Sequence, residues 1–146
     1  MNFEKLLDEK KIEEIEKEEF SSEFAEKDLE TAKRNLINKD FDWAVSIAYN
    51  AVLRVGRSVM TMFGYRAIGK EHHKNLFEFL RETEFDLDLI DYFDNIRKQR
   101  NSFVYRDFEV ASKESTEETL KKAEEFVQKI RTFVQKIRTN KQEKSL

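Results

Sequence analysis

Residues 40–64, DFDWAVSIAYNAVLRVGRSVMTMFG, decide the fold class. Ala44, Ala48, Ala51, Val55, Val59 and Met62 recur at helical spacing, so one face of a helix carries mostly small side chains. Small residues let a neighbouring helix come close. Asp40 is placed to cap the start of this helix, and Gly64 to close it in the left-handed conformation that glycine adopts without penalty.

The flanking sequence reads as more helices. Ser21 and Ser22, followed by Glu23, give an N-cap signal, and Phe24, Leu29, Leu36 and Ile37 mark a helix to about Asn38, where Lys39 and Asp40 turn the chain. Residues 64–73, GYRAIGKEHH, read as a polar loop before a short helix carrying Leu76, Phe77 and Leu80. A longer amphipathic helix spans about 86–105. After a Ser-, Glu- and Lys-rich loop over 107–116, the last helix starts near Ser115 and runs to about Thr139, leaving 140–146 as a frayed tail. Within it FVQKIRT occurs twice in succession, at 126–132 and 133–139, which sets Phe126, Ile130, Phe133 and Ile137 at heptad spacing. That stripe serves either a bundle core or a dimer seam. Residues 2–19 are expected to form an acidic helix with Phe3, Leu6, Leu7, Ile12 and Ile15 as its apolar residues.

The chain has 146 residues, no proline, three glycines and 39% charged residues, a balance suited to long helices with few loops. The expectation is an all-α fold: one up-and-down antiparallel bundle of five to six helices over 1–146, with its core at about 23–138. The absence of cysteine removes disulfides and thiolate metal sites. No apolar run approaches the roughly 20 residues that span a bilayer, and the start lacks a signal peptide's apolar centre, so a cytoplasmic protein with no membrane partner is expected. The net charge of -3 conceals a gradient, with 12 acids against 5 bases in residues 1–30 and 8 bases against 3 acids in 121–146. At a pI of about 5.6, nucleic-acid contact has to come from a local patch such as Arg97, Lys98, Arg100 and Arg106.

The chemistry concentrates at Arg100-Asn101-Ser102-Phe103-Val104-Tyr105. Leu89, Phe93 and Ile96 step by four and then three, and the stepping continues through Arg100 to Phe103, which puts a guanidinium on the inward face. A cation there needs a carboxylate or a ligand. Pairing with an acid of a facing helix and holding a phosphate beside Phe103 and Tyr105 are both open, because cations interleaved with rings can grip phosphate while stacking a base. The other aromatic residues of the chain (13 Phe, four Tyr and one Trp, less these two) read as packing. Gly64, Gly69 and Lys70 fit a phosphate-loop spacing in the wrong context: a helix precedes them, and Glu71 stands where Ser or Thr would hold magnesium. His72 and His73 diverge by about 100 degrees on a helix and are poor chelators of one metal; they suit a surface, capping or ligand-contact role. The acids from Glu13 to Glu19 read as a solvated face. No metal and no cofactor are expected.

WAVSIAYNAVLRVGRSVMTMFGYR, the GKEHH turn, the NLFEFLR helix and IRKQRNSFVY, in this order, resemble the HEPN domain (higher eukaryotes and prokaryotes nucleotide-binding) over about residues 23–138. The resemblance implies a helical homodimer, and in many members a metal-independent ribonuclease, often a toxin or defence protein, with an Arg-x4-His motif in the dimer cleft. Arg100 and Asn101 match the start of that motif, whereas Tyr105 stands where the histidine belongs. A phenol is a poor base at neutral pH, so the chain looks more like the branch that reads Arg-Asn-x-x-x-Tyr. Three readings follow. The first is a non-catalytic or weakly catalytic component of a toxin–antitoxin or defence system that binds RNA, a nucleotide, or a partner such as a nucleotidyltransferase. The second is an endoribonuclease using Arg100 with Tyr105, or with His72 or His73. The third is a structural interaction module. The expected site is Arg100 and Tyr105 for any catalysis, with Arg97, Asn101, Arg106, His72 and His73 in ligand contact.

Overall fold

In the computed structural model the backbone is described for residues 1–102 and 111–145, and side chains for residues 1–100 and 111–142. These residues form α1 (Glu4–Asp8), β1 (Ile12–Glu14), α2 (Glu23–Ile37), α3 (Phe41–Phe63), β2 (Tyr65–Ala67), α4 (His72–Arg81), α5 (Leu87–Ser102) and α6 (Lys113–Ser145). The expected all-α bundle is observed, with a small two-stranded sheet added.

The small-residue seam makes α3 the axis of the bundle. Ala44, Ala48, Ala51, Val55 and Val59 are all 0% exposed, and α2, α4 and α6 pack around them. Gly56 extends the effect to α4, because a Cβ there would meet both methyls of Leu76 at 3.3 Å. Gly64 closes the helix at φ +92, as its position in the sequence predicts. The start differs from expectation. Asp40 makes no side-chain cap bond, and it is the Asp42 carboxylate that accepts the Ala111 N–H at 3.0 Å, tying the base of α3 to the approach of α6.

Cross-helix pairs fix the register. Asp28 of α2 accepts hydrogen bonds from Asn50 (3.1 Å) and Arg54 (2.8 Å) of α3, and the turn between these helices places Lys39 at φ 63. Glu26 meets Arg131 and Lys33 meets Glu124, each at 2.9 Å, so α6 runs antiparallel to α2. Helix α6 begins at Lys113, earlier than its Ser115 signal suggests. Ser112 Oγ accepts the Ser115 N–H at 3.0 Å while Ser115 Oγ accepts the Ser112 N–H at 3.1 Å, a reciprocal cap one turn upstream. Phe126 and Ile130 of the first FVQKIRT copy are 0% exposed inside this bundle, with Phe126 edge-on to Phe85 and Phe93. Helix α6 also continues through 140–145, since Lys, Gln and Glu there are good helix formers and no glycine or proline intervenes.

The expected N-terminal helix over 2–19 is not formed. Only Glu4–Asp8 is helical, Lys10 takes φ 58, and Ile12–Glu14 pairs antiparallel with Tyr65–Ala67, part of the stretch read as a polar loop. A continuous helix would set Glu9 over Glu13 and Glu14 over Glu18, like charges one turn apart. In the strand Glu13 instead faces and pairs with Arg66, while Ile12 is buried to 2%. Beyond the strand, the Ile15 and Glu18 N–H groups donate to the carbonyls of Gly64 and Thr61 at the end of α3.

Candidate functional site

On α5 the apolar seam of Leu89, Ile90 and Phe93 gives way to charge in the next turn. Asp94 (8% exposed) and Arg97 (9%) are buried together, and Arg97 Nε donates to Asp94 Oδ1 at 2.7 Å. Arg81 Nη2 reaches the other oxygen of Asp94 at 3.1 Å and also pairs with Asp91. The most buried guanidinium of this helix's last turns is therefore Arg97, which an internal carboxylate neutralises.

Arg100 lies one turn further on and is treated differently. It is half-buried, its guanidinium carbon stands 5.1 Å from the centre of the Tyr49 ring, and Nη1 donates to Ser46 Oγ at 3.0 Å. Among the described residues no carboxylate pairs with it, because Asp94, the buried acid of the same helix, already serves Arg81 and Arg97. Among the described residues, a guanidinium laid on an aromatic face with one hydroxyl partner keeps most of its five donors for another group. Tyr49 is 5% exposed, and its hydroxyl meets no hydrogen-bond partner among the described residues. Burial pushes this phenol up to about 12, partly offset by Arg100 and Arg97, so it is protonated throughout the neutral range.

His73, in the first turn of α4, approaches the same tyrosine from another side, with ring centres 6.2 Å apart and edge-on. Arg57 Nη2 lies 3.3 Å from His73 Nε2. An arginine can only donate, so Nε2 accepts and the proton of the neutral ring sits on Nδ1. Burial first, and then His72, Arg57, Arg100 and Arg97, bring His73 down to about 4. The imidazole is thus neutral at pH 7. His72 is exposed, and its ring packs edge-on against His73 at 4.3 Å.

Of the residues expected from sequence, Arg100, Arg97 and His73 come together around Tyr49, with Arg97 committed to Asp94. His72 stands at the rim. Asn101 falls in the last turn of α5 with its side chain outside the described residues, and Phe103, Tyr105 and Arg106 also lie outside them. Sequence reading missed Ser46, Tyr49 and Arg57. Their signal was a second stripe on α3 at 46, 49, 53 and 57, beside the small-residue seam, in which Leu53 is the only aliphatic member. Among the described residues no cluster of three or more His, Cys, Asp or Glu side chains could hold a metal ion. A broad open groove between Phe20–Ser22 and the C-terminal half of α6 shares no residue with the Tyr49 cluster.

Two guanidiniums, a hydroxyl and a neutral imidazole around one phenol favour an anion with several acceptor oxygens, as phosphate has. Among the described residues no helix is long and apolar enough to cross a membrane. No curated protein and no solved structure matches the chain. The model of the HEPN domain matches residues 18–133, which includes α2 to α5 and most of α6, and the protein therefore belongs to the HEPN family.

Proposed function

We propose that this HEPN protein binds RNA or a nucleotide through Arg100, as a non-catalytic or weakly catalytic homodimeric component of a cytoplasmic toxin–antitoxin or defence system. The observation that carries this reading is the state of Arg100: laid on Tyr49, bonded to Ser46, and paired with no carboxylate among the described residues. Asn101, Tyr105 and Arg106 complete the ligand contacts in this proposal, and a nucleotidyltransferase is the partner proposed with them. Titrating labelled single-stranded RNA at increasing salt tests it. Affinity should fall steeply with salt, and Arg100→Ala should weaken it at least tenfold. Binding indifferent to both would overturn the reading.

A second reading, metal-independent endoribonuclease, is favoured by one feature. His73 is a neutral imidazole beside Arg57 and the Tyr49–Arg100 pair, so the site holds a histidine although position 105 carries a phenol; as a base it requires the ligand to take Arg57 from Nε2 and to offset the surrounding cations. RNA should then be cut in EDTA, and His73→Ala should abolish cleavage. RNA left uncut in EDTA would remove this reading, and cutting that survives both His73→Ala and Tyr105→Phe would remove the two residues from it.

A further inference from the structure

Trp43 is the only tryptophan of the chain and is 68% exposed, although the aromatic residues of the long helices were expected to pack. Among the described residues no other ring stacks on it and no cation covers it. A bare indole on a protein surface is a large apolar area left in water. Its position on α3 is specific. Successive residues turn by about 100 degrees, so Trp43, Ser46, Asn50 and Arg57 share one stripe of the helix. Trp43 stands three residues, about 4.5 Å along the axis, from the serine that holds Arg100. Arg57, which meets His73, closes the stripe about 21 Å from Trp43.

We infer that Trp43 is the base-stacking platform of the Arg100 site, so that the ligand is single-stranded RNA with one base on the indole and the adjoining phosphate on Arg100. This inference rests on the phosphate-binding reading above and narrows it. A base inside a duplex has both faces covered by its neighbours and cannot lie on an indole, whereas an unpaired base has a free face. The site therefore selects single strands through Trp43 and tolerates any sequence, since every base offers a π-face. Within the stripe Asn50 is held by Asp28 of α2, whereas Ser46 and Arg57, beside Arg100 and His73, present a hydroxyl and a cation that fit a phosphate better than the apolar face of a protein partner.

Because Trp43 is the sole tryptophan, its fluorescence reports directly on the proposed contact. The full chain is titrated with inorganic phosphate, with adenosine monophosphate, with a six-nucleotide single-stranded RNA and with a duplex of the same sequence, while labelled RNA is followed in parallel by anisotropy. The single strand should quench the fluorescence and phosphate should not. Trp43→Phe should retain most of the single-strand affinity, whereas Trp43→Ala should lose about tenfold or more and close the gap between single strand and duplex. RNA that binds, weakens with Arg100→Ala, yet neither quenches the indole nor responds to Trp43→Ala, overturns this inference and leaves the phosphate reading standing. Wild-type protein that binds no RNA overturns both. A change from dimer to monomer in Trp43→Ala, with base-dependent binding unaltered, also overturns the inference and assigns the indole to contact between copies. The quenching is read on unmutated protein, so the test holds even if a variant fails to fold.

Discussion

The Arg100 guanidinium sits 5.1 Å above the Tyr49 ring, while Arg97, one turn earlier on the same helix, is locked to Asp94 at 2.7 Å. Two arginines of α5 thus divide two tasks. Arg97 satisfies the charge that the core admits, and Arg100 lies half-buried over an aromatic face. The division depends on Asp94 being saturated by Arg81 and Arg97, which leaves the third guanidinium without an internal acid among the described residues.

Stability measurements should separate these roles. Asp94→Ala strands the buried Arg97 without its carboxylate and should cost about 3 kcal/mol or more in denaturant unfolding. Arg100→Ala removes a half-exposed cation–π contact and one hydrogen bond, and should cost about 1 kcal/mol. Equal losses in the two variants would mean that Arg100 is as structural as Arg97.

Tyr49 gives the opposite sign. Its buried hydroxyl has no partner among the described residues, so Tyr49→Phe removes an unsatisfied group while keeping the ring beneath Arg100. The variant should match the wild type or exceed it by about 1 kcal/mol, read as an unchanged or raised urea midpoint. A clear fall in the midpoint would show that the hydroxyl is engaged in solution.

Much of the bundle is legible in the sequence because helical periodicity and turn chemistry agree locally, as in the alanine seam and Gly64 of α3. The N-terminal segment was not. Its acids are neutral to a periodicity argument, and what decides their conformation is Arg66, 53 residues away, which pairs with Glu13 across the sheet. The site was half legible for a similar reason. Arg100 announces itself as a cation on a seam, but whether Arg97 or Arg100 takes the internal acid depends on Arg81 of another helix. Tyr49 and Trp43 look alike in sequence, as aromatics within one amphipathic helix, and differ only in what packs against them.

Gly56 tests how tightly α4, and with it His73, is held. A methyl at this position meets Leu76 at 3.3 Å and Leu80 at 3.4 Å, so Gly56→Ala sets a better helix former against overpacking. The two effects, about 1 kcal/mol and about 1–3 kcal/mol, leave a net destabilisation of up to about 2 kcal/mol. A more stable variant would show that the Leu76 side chain yields freely.

His73 should couple folding, ligand and pH. An unfolded chain returns this histidine to its ordinary value of 6.5, whereas the folded protein holds it near 4. Between those values the unfolded chain binds a proton that the folded one refuses, so acidification through this window favours unfolding, and above pH 6.5 the contribution is constant. Wild-type protein should lose melting temperature as pH falls from 6.5 towards 4, and His73→Gln should lose less. Comparing the two cancels the carboxylates that titrate in the same range. Burial is the first cause of the neutral imidazole, and a bound phosphate placed beside Arg57 and Arg100 would screen the cations that add to it and would favour the protonated form. Saturation with single-stranded RNA should therefore raise the His73 titration midpoint, followed by NMR of its ring protons, and RNA affinity should increase as pH falls towards that new midpoint. A midpoint that stays near 4 with RNA bound would place the phosphate away from His73 and restrict the site to Arg100, Tyr49 and Ser46.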